Sequence, residues 1–243
     1  MQTVNFNYFP LVSGEVVLDI GCGEGRHAIA VYDHAPVTSI GLDLNADDLI
    51  TARAKARECF PEPKVDRHLA FTQVDATKLP FASHSIDKII CSEVLEHIGP
   101  YEQVLDEIYR VLKPGGLLCV SVPRFWPEAL CWHLSDAYHE NDGGHIRIFL
   151  SKQLRRKIEA RHFVFYKRHW AHALHSIYWW LQCAWWNKRE TNRLVNAWHR
   201  LLVWDMMSKP WITRVLERLL NPVLGKSVVM YFKKTHDEAR TPL

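Results

Sequence analysis

No tryptophan stands in the first 125 residues of this 243-residue chain, no two of its six cysteines have C-x-x-C spacing, and no apolar run reaches membrane-spanning length. Cys91 and Cys119 sit inside apolar runs, where a thiol behaves as a small core side chain, so a reduced, cytoplasmic setting is expected. The longest aromatic-rich stretch, residues 171–186, is interrupted by His172, His175 and Gln182 and falls short of the ~20 apolar residues that a spanning helix needs. Residues 1–11 lack the basic start and apolar block of a secretory leader, and none is expected. Charge of one sign is scarce too. The net charge is +3 and the pI about 8.5, short of the domain pI above about 9 and the basic stripe that mark nucleic-acid binding. Nucleic acid is therefore not the expected partner.

A hydrophobic fraction of 48% and a charged fraction of 23% are ordinary for a globular chain, and the length suffices for one domain plus an insertion. The most informative stretch is the apolar run Val16-Val17-Leu18-Asp19-Ile20 breaking into Gly21-Cys22-Gly23-Glu24-Gly25. A buried strand that stops at alternating glycines lets backbone amides approach a ligand with no side chain in the way. The pattern reads as a nucleoside pocket. A dinucleotide fingerprint would want glycine or alanine at the sixth position of G-x-G-x-x-G, which here is Arg26, so NAD fits poorly. Asp19, two residues before the loop, suits a cationic amino-acid head group better than a pyrophosphate.

Gly41-Leu42-Asp43-Leu44, Val74-Asp75-Ala76, residues 81–97 and Leu112-Lys113-Pro114-Gly115-Gly116 follow in order. On these stretches the chain resembles the class I S-adenosylmethionine (SAM)-dependent methyltransferases over roughly residues 14–168, with residues 228–232 looking like the last strand. The resemblance implies an α/β fold, a Rossmann-like doubly wound seven-stranded sheet with an antiparallel last strand, and SAM as cofactor. Its cofactor residues would be Asp19, Gly21, Cys22, Gly23, Gly25, Asp43, Leu44, Asp75, Ala76, Ser92 and Glu93. Asp43, at the tip of the second strand, is placed to accept both ribose hydroxyl protons. On the resemblance alone, Asp75 accepts from the adenine amino group and the following amide reads a ring nitrogen. Glu93 either bonds within the glycine loop or holds the methionyl ammonium. Residues 92–97 read as passing from a strand tip into a helix, with His97 as a base or as the partner of Glu93 four residues earlier.

The second half is built differently, because all ten tryptophans lie between Trp126 and Trp211. In many relatives a histidine and an aromatic residue before the helix that here begins at Ser151, its expected N-cap, line the acceptor side. That makes His145 and His139 the other base candidates, with Tyr138 and Glu140 behind them. His172 and His175 lack a third ligand at good spacing, so no metal is expected. About sixty residues separate Tyr166 from Lys226 where a hairpin loop of ~2–5 would serve. Leu194, Trp198, Leu201, Leu202 and Asp205 share one helix face, Ile212, Val215, Leu216, Leu219 and Leu220 another, and Asn221-Pro222 should end the second.

The expected organisation is a SAM-binding core over 1–168, a helical tryptophan-rich insertion between strands six and seven over 169–225, and a last strand with a solvated tail over 226–243. Residues 170–225 carry seven Lys or Arg against three acids, and tryptophan beside cationic residues suits the face of an anionic bilayer. The function expected is methyl transfer to a hydrophobic small-molecule or lipid-like acceptor, with peripheral membrane contact. The alternatives are an RNA or protein methyltransferase, for which Lys152, Arg155, Arg156 and Lys157 speak, and a non-catalytic SAM-binding module. The Asn/Asp-Pro-Pro-aromatic signature of amino-group nucleic-acid methylation is absent, since Ser92-Glu93-Val94-Leu95 stands in its place.

Overall fold

The strands β1 (Val16–Ile20), β2 (Thr38–Asp43), β3 (His68–Gln73), β4 (Ile86–Ser92), β5 (Leu112–Pro123), β6 (Phe163–Ala171) and β7 (Ser227–Lys234) join in one sheet. Its order is β3-β2-β1-β4-β5-β7-β6. The computed structural model describes residues 2–140, 144–208 and 210–235, without the side chain of His139. The expected tail, from residue 236 on, therefore lies outside the described residues. β1 to β5 run parallel, and β7 is antiparallel to both β5 and β6. The antiparallel last strand and the helices between strands six and seven are as the sequence led one to expect.

Local chemistry explains the frame. β1 is a β-branched and apolar run buried on both faces, as a strand flanked by two parallel neighbours must be. Helix α1 (Arg26–His34) returns the chain to β2, and α2 (Ala46–Cys59) begins where the Asn45 side chain accepts the Asp47 N–H at 2.9 Å. The chain leaves β1 on one side and re-enters the sheet as β4 on the other, so the crevice at the carboxyl ends of β1 and β4 is a topological switch point, where open α/β sheets bind ligands.

Two layers cover the sheet. On one face α3 (Tyr101–Val111) presents Val104, Leu105, Ile108 and Val111, and α6 (Ser151–Glu159) adds Leu154 and Ile158. On the other, α1 contributes Val31, and the lead-in supplies Val4 and Phe9, packed with Ile90, Cys119 and Tyr231. Phe9 lies on this face over Tyr231 of β7, the strand beside the edge strand β6.

Three expectations are corrected. Residues 92–97 form no helix: Glu93 enters the left-handed region with φ 58°, and a turn follows before Pro100 leads into α3. His97 is thus a turn residue. Leu150, not Ser151, holds the N-cap position of α6, with no side-chain cap bond. Helices α4 (Phe125–Leu134) and α5 (Asp136–His139) follow β5. In the insertion, α7 (Ala173–Ala184), a short 3-10 turn (Trp186–Lys188), α8 (Arg193–Ser208) and α9 (Trp211–Leu224) follow β6, and α9 runs past Pro222, which costs only one bond in the last turn. Asn221 is spent on α7, accepting the Ala173 N–H at 3.0 Å.

Candidate active site

The glycine loop is held from three sides. Gly21, Gly23 and Gly25 have φ of 65°, 50° and 84°, a region costly for residues with a Cβ. The Cys22 amide donates to Leu42 O at 2.9 Å, the Gly23 amide to Asp43 Oδ2 at 2.6 Å, and the Ala28 amide to Asp19 Oδ2 at 3.0 Å. A Cβ on Gly21 would collide with the Val94 methyls, so the floor of the crevice tolerates no side chain there.

Above this floor opens a cleft of about 910 Å³, within the range of ligand pockets. Gly21, Gly23, Asp43, Leu44, Asp75, Ala76, Glu93 and His97 all line it, together with Asn45, Thr77 and Val94. Asp43 Oδ1 also accepts the Asn45 N–H at 2.9 Å. Asp75 accepts from both the amide and the hydroxyl of Thr77 at 2.8 Å, and these bonds lower its carboxyl, keeping it ionised. Both carboxylates are therefore fixed acceptors at neighbouring strand ends.

Asp19, Cys22, Gly25 and Ser92 do not line this cleft. Asp19 is only 2% exposed and lies beneath the loop, bracing the first turn of α1 rather than meeting a ligand directly. Burial pushes its carboxyl up to about 7, against the lowering effects of the Ala28 N–H and Arg26, and its Oδ1 accepts no hydrogen bond among the described residues. The Cys22 thiol packs among Ala28, Leu49, Ala52 and Phe71, where burial raises it. Gly25 is the N-cap of α1 and a Cβ there would stand 2.9 Å from Phe71. Ser92 acts one step removed: its hydroxyl meets Ser121 Oγ at 2.8 Å, and Ser121 donates to Glu93 Oε1 at 2.7 Å. Ser121 gave no signal in the sequence, since a serine inside an apolar strand has no spacing to announce it.

A second polar group adjoins the β4 side of the cleft. His145 Nδ1 lies 2.5 Å from Glu128 Oε1, and the rings of His97 and His145 meet edge to face at 4.9 Å. Glu128, 1% exposed on α4, also accepts from Trp132 Nε1 and Tyr138 OH at 3.3 Å and has Lys226 Nζ at 3.7 Å. Burial works to raise the Glu128 carboxyl, yet His145 and Lys226 outweigh it and hold it below the usual range. Arg147 ties the segment to the turn after β4, donating to Leu95 O at 3.2 Å, to Ile98 O, and to Gly99 O at 2.9 Å. The sequence therefore found His97 and His145 but missed Glu128, which sits on a helix it did not show. The side chain of His139 lies outside the described residues.

A parallel five-strand half, an antiparallel strand seven, a side-chain-free loop after β1 and carboxylates at the carboxyl ends of β2 and β3 are the features of the class I SAM-dependent methyltransferase fold. Residues 18–120, under half of the chain, match the family model described as methyltransferase domain. A sterol 24-C-methyltransferase of Pneumocystis carinii is 37% identical over 136 residues, 56% of this chain and 32% of that protein. The methyltransferase GfsG of Streptomyces halstedii is 36% identical over 109 residues, 45% of this chain and 38% of that protein. The chain thus spans about a third of the length of the curated relatives it matches. Among solved structures, a SAM-dependent methyltransferase from Methanosarcina mazei superposes with a TM-score of 0.58 at 17% identity, over 98% of this chain and 99% of that one. The [4+2]-cyclase SpnF gives a TM-score of 0.61 at 19% identity, over 95% and 78%. These likenesses speak to the fold alone, and a fold does not by itself name a reaction.

Proposed function

We propose that this protein transfers a methyl group from SAM to a hydrophobic, lipid-like acceptor. The observation that carries the reading is the pairing of Asp43 and Asp75 on one cleft above a loop that excludes a side chain at Gly21. Asp43 would accept from the ribose hydroxyls and Asp75 from the adenine amino group, while Glu93, held by Ser121, faces the methionyl end. SAM supplies an electrophilic methyl on a sulfonium, so the chain's task is alignment more than acid catalysis, and alignment alone can lower a barrier by ~7–11 kcal/mol. Asp19 supports this indirectly by setting the pitch of the loop and of α1.

A lipid-like acceptor is favoured by the sterol methyltransferase relatives and by the outer face of the insertion. Trp211 (76% exposed), Ile212, Val215, Leu216, Leu219 and Val223 share one exposed face of α9, and Arg214 and Arg218 flank it. An apolar face rimmed by arginine complements an anionic lipid surface. Among the described residues, no helix is long and apolar enough to cross a membrane, so the contact would be peripheral. Any base the acceptor requires would come from the group around His145, oriented by Glu128.

Methyl transfer from radiolabelled SAM into total cell extract, split into organic and aqueous phases, tests the acceptor: label should enter the organic phase, and label confined to the aqueous phase or to RNA rejects it. Isothermal titration tests the donor, where absence of SAM binding would reject the methyltransferase reading itself. Cosedimentation with phosphatidylserine vesicles tests the surface; equal pelleting of the wild type and of the Trp211→Ser/Leu219→Ser variant excludes α9 as its anchor.

A further inference from the structure

We propose that the polar cavity between α1 and α9 takes the anionic head group of the acceptor, a carboxylate or a phosphate, between Arg26 and Arg214. The proposal rests on the methyltransferase reading and narrows the lipid-like acceptor to an anionic amphiphile. The cavity measures about 780 Å³ and shares no lining residue with the cleft beside the glycine loop. Its walls come from the lead-in, both ends of α1, the end of β6, and α8 and α9.

One wall is fixed through a single residue. Thr3 donates its N–H to His27 Nε2 at 3.3 Å, its hydroxyl lies 3.1 Å from His172 Nε2, and its carbonyl accepts from His169 Nε2 at 3.2 Å. Burial lowers all three histidines, so they stay neutral and add no charge. His172, 8% exposed, lines the cavity as well, and its Nδ1 has no hydrogen-bond partner among the described residues. With the Thr3 hydroxyl donating to Nε2, the proton of the neutral ring sits on Nδ1, a donor for a ligand's oxygen. Buried polar atoms are ordinarily paired, and this one is left over.

The charge on the lining selects the ligand. Arg26 and Arg214 come from different helices, and neither guanidinium makes a hydrogen bond or salt bridge among the described residues. An unspent guanidinium fork matches the oxygens of a carboxylate or phosphate, whereas a neutral sterol would leave both forks unused. The two acids on the lining do not cancel them. Asp205 accepts from the Thr213 hydroxyl and is spent on the junction of α8 with α9. Burial, with Asp205 close by, raises the Glu217 carboxyl and works against its charge.

Position links the cavity to both proposed partners. Arg26 directly follows the glycine loop, and loss of water contact lowers its guanidinium against the pull of Asp19 beneath the loop and of Glu93 in the cleft. It therefore stands between this cavity and the end of the cleft proposed for the methionyl group. On α9, Arg214, Glu217 and Asn221 line the cavity while Trp211, Val215 and Leu219 are exposed. Helical spacing puts these on two separate rows. Met206 of α8 lines the cavity and is itself exposed, so a head group held inside can send its tail out toward the apolar surface of the insertion.

The test is isothermal titration of the full chain with octyl phosphate and octanoate, both below their micellar concentrations, beside inorganic phosphate and octyltrimethylammonium. One saturable site for octyl phosphate or octanoate is expected, and Arg214→Met and Arg26→Met should each weaken it ~10–150-fold, the effect of losing one hydrogen bond to a charged group. Arg214 is exposed, so its variant remains informative if Arg26→Met fails to fold. No saturable binding of either amphiphile, or binding unchanged in Arg214→Met, overturns the proposal. Inorganic phosphate binding as tightly as octyl phosphate would make this a site for the free ion, and octyltrimethylammonium binding as tightly would mean apolar adsorption; either overturns it too. SAM titration of the wild type separates the two readings: SAM bound without either amphiphile refutes only this cavity, and no SAM bound refutes the methyltransferase reading itself.

Discussion

Replacing Asp19 with Asn should remove a component of stability that declines as pH rises from about 5 to 7. The carboxyl is buried beneath the glycine loop, and burial raises it to about 7 from an ordinary value of 3.8. Between those values the folded chain keeps a proton that the unfolded chain has released. Stability from this group is therefore complete at low pH and is lost as pH climbs through the window, at up to ~1.4 kcal/mol per pH unit and about 4 kcal/mol in all. His27, His172 and His175 act in the opposite sense: burial lowers each of them, so below ~6.5 the unfolded chain takes up protons first and stability rises with pH. The wild-type profile is a sum of opposed slopes. Only the difference between wild type and variant isolates Asp19. Asn keeps an acceptor for the Ala28 N–H, and its amide nitrogen goes where Oδ1 has no hydrogen bond and His27 Nδ1 stands 3.8 Å away, at a roughly pH-independent cost of ~1–3 kcal/mol. Urea unfolding at pH 5, 6, 7 and 8 should show the variant gaining roughly 2–4 kcal/mol on the wild type across that range. Parallel curves would refute both the raised carboxyl and its role as a neutral brace.

On the ribose assignment proposed for Asp43, Asp43→Ala removes an acceptor for two hydroxyls, each such bond contributing ~1.5–3 kcal/mol. A net loss of about 3 kcal/mol corresponds to SAM binding ~150-fold weaker by titration, and a change below threefold counts against the ribose assignment. Gly21→Ala and Gly23→Ala both place alanine at positive φ, costing ~1–2 kcal/mol, but only the first meets Val94, the second having open space. The melting temperature of Gly21→Ala should therefore lie ~4–8 °C below that of Gly23→Ala, for an extra ~2 kcal/mol in a chain of this size; equal values would mean the loop yields. Arg147→Met cuts three bonds to the carbonyls of the turn after β4 and a contact over the Tyr101 ring at 4.7 Å. Denaturant unfolding should show a loss of ~2–4 kcal/mol, and a loss under ~0.5 would show the turn standing without it.

What the sequence made legible was whatever depends on neighbours in the chain. Alternating glycines after Val16–Ile20, an acid at the carboxyl end of each of β2 and β3, and the apolar face of α3 are local patterns, and the structure has each where it was expected. Legibility failed where long-range contacts decide. Residues 92–97 have helical composition, yet Glu93 is turned to φ 58° and secured through Ser121 of the neighbouring strand, a partner no spacing reveals. Asp19 has the type and place of a ligand contact, but the Ala28 amide claims it from below. Glu128 reads as one acid among aromatics until α4 buries it against His145 and Lys226.

The two polar groups of the site come from different parts of the chain, and this bears on how such a protein could change its acceptor. Among the described residues, every one lining the cleft precedes Tyr101. The neighbouring cluster draws Glu96 and His97 from that same stretch, but Glu128, His145 and Lys226 from beyond β5. Arg147 is the joint between them, since its guanidinium grips the turn carrying Glu96 and His97 while its neighbour His145 faces them. Substitutions in α4, in the segment leading to α6, or in the α7–α9 insertion therefore leave every contact of the proposed donor untouched. Changes at Glu96 or His97 cannot be so confined, because the turn that bears them also ends the cleft. On the methyltransferase reading, acceptor choice is free to vary in the tryptophan-rich half, and the turn after β4 is the place where it must still agree with the donor.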